Sequence, residues 1–189
     1  MSHKNEQCNC QNNAELAKYA ESVRARILVQ NGDIFLNKSP EHAHIILREF
    51  IQAAKRSIHI YCGCLTKNVY KGLQPYFGNA YNQGVDLRVI TVEEPNNKSD
   101  KEVVDYLQKN DILRYLTPET RDKLANLPHF AIVDGRDSKG AKYRFETNQD
   151  EKTAIVCAYA KDEDSIHRGA DMETIFDTLW NSNLTLHAE

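Results

Sequence analysis

At 189 residues the chain suits one domain, or one domain with a short appendage, and is long enough for a real core. Apolar residues make up 41% and charged residues 27%, which is ordinary for a soluble globular protein. With 24 basic against 27 acidic residues the formal net charge is -3, which excludes a global bias toward nucleic acid or an anionic membrane and leaves a local basic patch open.

The polar residues 1–12 are expected to be loose at the terminus. They contain no apolar signal-peptide region, and no run in the chain approaches the roughly 20 apolar residues that span a bilayer. The five cysteines, Cys8, Cys10, Cys62, Cys64 and Cys157, are therefore expected as reduced thiols of a cytoplasmic protein. From Asn13 to about Ile27, Leu16, Tyr19, Ala20, Val23 and Ile27 recur at helical spacing. The segment ILVQNGDIFLN predicts two short strands around Asn31-Gly32, a hairpin signal. Residues 1–30 are read as a polar tail and helix, and 31–189 as the main domain.

Ser39-Pro40 is an N-cap and first-turn pair opening a helix to about Arg56, with Ala43, Ile46, Leu47, Phe50 and Ala54 as its buried stripe. SIHIYCG (57–63) is a β-branched and aromatic run ending in glycine, hence a strand. A helical region from about Asn68 to Gln83, interrupted near Pro75 and Gly78, leads into the strand VDLRVITV. Its Tyr70, Tyr76, Phe77 and Tyr81, among Lys67 and Lys71, are read as a buried stripe with solvated lysines rather than a stack for nucleotides. SDKEVVDYLQKN is a helix with Ser99 as cap and Glu102 completing a capping box. ILRYL is a short strand and TPETRDKLA a short capped helix. Three strand-like runs follow, HFAIVDG, KYRFET and TAIVCAYA. The helix ADMETIFDTLW comes last, with Met172, Ile175, Phe176, Leu179 and Trp180 on one face. The pattern predicts an α/β sandwich with a largely parallel sheet and an antiparallel edge, flanked by helices.

The pieces FIQAAKRSIHIYCG, AYNQGVDLRVIT, HFAIVDG and IFDTLW stand in an order that resembles the phospholipase D-like superfamily over about residues 36–183. That family's signature is H-x-K-x-x-x-x-D. Histidine and lysine two apart on a strand share a face. The histidine attacks a phosphodiester phosphorus and the lysine holds its oxygens. Aligned on Asp134, the lysine position is His129 and the histidine position is Leu127, and YRFETNQDEKTAIV offers Asn148 and Glu151 where the family has a Gly-Ser-x-Asn segment and an acidic residue.

The resemblance thus implies a phospholipase D-like fold with a degenerate motif, acting as a non-catalytic binding or regulatory module in the cytoplasm. The alternative is a divergent, metal-independent phosphodiesterase or nuclease using His129. Because the family's sites form by pairing two such units, a homodimer is expected, and a protein or nucleic-acid partner is open. The site candidates are His129 and Asp134 for catalysis, and His59, Asn148 and Glu151 for substrate. His129 either binds phosphate when protonated, acts as a base oriented by a carboxylate, or bonds backbone at the start of a strand. Asp134 is read as capping the turn made by Gly135. His59 and His129 are the histidine pair that a common cleft would unite. The C-x-C spacing of Cys8-Cys10 and Cys62-Cys64 is not the usual zinc spacing. No metal or cofactor is expected.

Overall fold

The computed structural model describes residues 3–136, 139–148 and 153–182. Within these, β1 (Ile34–Asn37), β2 (Ser57–Cys62), β3 (Asp86–Thr91), β4 (Leu113–Tyr115), β5 (Phe130–Val133), β6 (Lys142–Asn148) and β7 (Thr153–Cys157) form one sheet in the order β1-β7-β6-β5-β2-β3-β4. The expected mixed α/β architecture is present, but the balance of the sheet is corrected. Only β2–β3 and β3–β4 run parallel, and every other pairing is antiparallel. Short connections join β5, β6 and β7, which suits antiparallel neighbours; the parallel neighbours β2, β3 and β4 are joined by the helical crossovers that parallel pairing requires.

The sheet is covered on both faces. α1 (His3–Leu28), α2 (Pro40–Gln52), α3 (Lys67–Tyr70), α4 (Gln74–Asn82) and α5 (Lys101–Lys109) bury their apolar residues in one cluster with Ile58, Ile60, Leu87, Val89, Ala131 and Val133. α7 (Glu163–Asn181), together with residues that follow α6 (Pro118–Lys123), packs in a second cluster with Tyr61, Ile90, Phe130, Ile132 and Tyr143. The alternation is the two-residue period of a pleated strand, and it assigns each side chain of β2, β3, β5 and β6 to one face. Each large apolar side chain so buried stabilises the fold by roughly 1.5–3 kcal/mol.

Local chemistry sets the element ends. Ser39 caps α2 by accepting from His42 N at 3.2 Å, with Pro40 in the first turn. α1 begins at His3 rather than near Asn13, since no glycine or proline interrupts the polar stretch. The hairpin expected around Asn31-Gly32 is not formed. Ile27 and Leu28 finish α1, Gln30 turns into the left-handed region (φ 54°), and Asn31 N donates back to Arg26 O at 2.9 Å. This is a helix-terminating motif with Gln30 as its left-handed residue, and Asn31-Gly32 follows it.

The cap of α5 is Asp100, whose carboxylate accepts from Val103 N, while Ser99 Oγ accepts from Asn96 N instead. The break between α3 and α4 falls at Gly72 (φ 76°), not at Pro75 or Gly78; Pro75 fits the first turn of α4, where no backbone donor is lost. On α7, Ile175 is exposed, and the buried stripe is Met172, Phe176, Leu179 and Trp180.

Candidate functional site

The carboxyl end of β2, the start of β5 and the far part of β6 meet at one edge of the sheet, under the beginning of α2 and α3. A cleft of about 620 Å³ opens there, lined by Pro40, Cys62, Gly63, Lys67, Lys98, His129, Arg144 and Glu146 among others. The β5 register places His129 on the face of Ala131 and Val133, the face covered by α1 to α5. By the same period, Lys142, Arg144 and Glu146 of β6 share that face, while Tyr143 and Phe145 turn to the other.

His129 Nδ1 lies 2.9 Å from Glu146 Oε2, and the other oxygen of Glu146 accepts from Arg144 Nη2 at 3.0 Å. Arg144 Nε donates to Asn37 Oδ1 of β1 at 3.2 Å. Burial pushes the Glu146 carboxyl up, but the hydrogen bond from His129 and the charge of Arg144 outweigh it and hold the group below the ordinary carboxylate range. Glu146 is thus an anion buried between two donors, and it fixes the imidazole so that Nε2 and Cε1 point past Gly63. A Cβ at position 63 would come within 3.2 Å of Nε2 and 3.0 Å of Cε1, so the glycine lets the ring sit against the backbone. This arrangement can offer a proton acceptor or, when protonated, a charged donor to an anion in the cleft.

Each expected site residue has a definite place. Leu127 is half-buried and packs against the second apolar cluster, away from the cleft. Asp134 lies beyond the other end of β5 and is buried. Its carboxylate accepts from the backbone N–H of Lys55, Arg56 and Ser57 and from Lys142 Nζ at 3.0 Å. The expectation that it caps the turn of Gly135 is therefore corrected: it caps the approach to β2. Burial raises its carboxyl, yet the Lys142 charge and the backbone donors bring it below its ordinary value.

His59 does not join His129. It shares the α7 face with Tyr61, stacked on Phe176 at 4.6 Å, on the opposite side of the sheet. Only the backbone of Asn148 is described, at the end of β6, and Glu151 lies outside the described residues. Cys62 is buried, and burial pushes its thiol up to about 12, so it is no nucleophile. Tyr70 and Phe77 are buried as expected, whereas Tyr81 is exposed.

Sequence reasoning missed Glu146 and Arg144. Their signal was the alternation of charge with aromatics in KYRFE, which resembles a strand with one solvated face. No described helix is long and apolar enough to cross a membrane.

No family model matches the chain, and no curated protein sequence is significantly similar to it. Similarity appears at the level of structure. The chain superposes on TrmBL2, an archaeal chromatin protein with a novel mode of DNA binding, with a TM-score of 0.53 and 13% identity over 95% of this chain. The match spans 65% of the TrmBL2 chain. It also superposes on NucT from Helicobacter pylori, with a TM-score of 0.52 and 16% identity over 79% of this chain and 95% of that one. At these identities the likeness is one of fold.

Proposed function

We propose that this chain is a phospholipase D-like module that binds a phosphodiester of a nucleic-acid strand at the His129 cleft and does not cleave it. The observation that carries the reading is the split of Leu127 from His129. The position of the family's attacking histidine holds an aliphatic side chain packed in the second cluster, so only His129 reaches the cleft. A protonated His129, beside Lys67 and Lys98 on the rim, offers donors and positive charge to one phosphate. DNA is the ligand to try first because TrmBL2, which shares the fold, binds it. Pairing of two copies, as in the family, would set two such clefts together.

One observation favours a second reading. Glu146 orients the His129 ring through Nδ1 and leaves Nε2 toward the cleft, as a base or nucleophile in a metal-independent phosphodiesterase would require.

Binding to fluorescent single- and double-stranded DNA over a salt series, with and without cleavage monitored in chelator, separates the two. The expected result is salt-dependent binding, no cleavage, and weaker binding in His129→Ala. In Lys67→Ala and Lys98→Ala, the log–log salt slope should fall by about one for each phosphate that the lysine no longer neutralises. Cleavage abolished by His129→Ala would replace binding with the second reading. No binding to either DNA at low salt would overturn the nucleic-acid assignment.

A further inference from the structure

On the face opposite the cleft, between the middle of β2 and α7, we propose a binding site for a divalent, zinc-like metal ion formed by His59, Glu173 and Asp177. Three observations carry it.

First, one donor atom from each of the three residues lies within 4.8 Å of the others: an imidazole nitrogen and two carboxylate oxygens. One imidazole with two carboxylates suits a borderline ion such as Zn²⁺, whereas Mg²⁺ and Ca²⁺ select oxygen alone.

Second, His59 is fully buried, and neither ring nitrogen has a hydrogen-bond partner among the described residues. Glu173 Oε1 comes to 3.0 Å from Nδ1 but outside hydrogen-bond geometry, and Asp86 Oδ2, at 3.5 Å from Nε2, is too far to bond. Stacking on Phe176 (4.6 Å, 4°) holds the plane of the ring.

Third, Glu173 Oε2 is itself buried and has no hydrogen-bond partner among the described residues, although Oε1 accepts from Arg136 Nε at 3.1 Å. Glu173 therefore has a free oxygen for an ion.

Charge points the same way. Asp86, Glu173 and Asp177 face Arg88 and Arg136, which leaves one negative charge in excess. Access is through Asp177, which lies at the rim, where Arg136 Nη2 holds both its oxygens. The side chain of Arg136 is more than half exposed and swings outward at little cost. Three protein ligands leave a fourth position for water or a further ligand.

The rival occupant is a proton on His59, which neutralises the same excess. Titration of the chelator-stripped full chain with Zn²⁺ by calorimetry distinguishes them. Expected are one ion per chain and a rise in melting temperature with free Zn²⁺. Asp177→Asn, at the rim and compatible with the fold, should bind at least tenfold more weakly, as should His59→Asn if it folds. Cobalt in place of zinc should give visible absorption without a thiolate-to-cobalt band.

No stoichiometric binding would leave the proton as occupant and overturn the site. Binding by Asp177→Asn equal to that of the parent, or a thiolate band, would move the ion elsewhere and overturn it equally. Loss of DNA binding does not touch this result, because the two sites lie on opposite faces.

Discussion

Asp134 closes β5 at the end away from His129, and its chemistry is that of a buried structural anion. Three backbone donors and Lys142 surround it, and it adopts a left-handed backbone (φ 56°) that aspartate tolerates better than most residues. Asp134→Asn leaves the buried Lys142 ammonium without its counter-charge, so a loss of about 3–5 kcal/mol is expected in urea unfolding at pH 7. The sign with pH follows from the lowered carboxyl. Stability from this group is fully present above the unfolded value of about 3.9 and is lost as pH falls through the lower folded value. The gap between the parent and Asp134→Asn should therefore narrow in strong acid, and a gap independent of pH would sink the assignment. Sequence spacing singled out Asp134 and His129, but not what they touch. The donors to Asp134 come from the approach to β2 and from Lys142 of β6, and the anchor of His129 comes from β6, so both depend on strand pairing that no local pattern encodes.

Among the elements, α2 is the one whose start was most legible and whose start matters to the cleft. Pro40, Ala43 and Leu47 line the cavity wall, and Ser39 satisfies the first free donors of the helix. Ser39→Ala should cost about 1 kcal/mol and Ser39→Gly only a few tenths, read as a shift in the urea midpoint at constant slope. An alanine variant as stable as the parent would show that the cap bond adds nothing. Capped helices read well from sequence because their signals are local. Asn31-Gly32 read badly because the residue that ends the helix is Gln30, in the left-handed region, a residue type that carries no such local signal. The parallel character of the sheet was overestimated because alternation of helix and strand stops after β5, where the antiparallel pairings of β5 to β7 take over.

At the scale of the molecule, one sheet separates two polar sites, the His129 cleft under α1 to α5 and the His59 cluster under α7. Strand alternation was visible in the sequence. The order of strands was not, so whether His59 and His129 share a cleft or pack independently was open until the faces were assigned. The boundary at residue 30 remains our proposal, and α1 is where it is testable. Ala20 and Val23 pack in the first cluster, Tyr19 stacks on His42 at 3.9 Å, and Arg24 pairs with the buried Glu49. Glu49 keeps Arg48 at 2.8 Å, so removing α1 does not strand its charge. Loss of the half-exposed Arg24 costs little, and the penalty is mainly the uncovered apolar surface, about 3 kcal/mol for these side chains. A chain starting at residue 31 should therefore fold, with the same far-ultraviolet signature for the remainder and a melting temperature lower by about 6–12 °C. An unchanged melting temperature would make α1 a mere appendage. A chain unable to fold would make α1 part of the domain and refute the boundary.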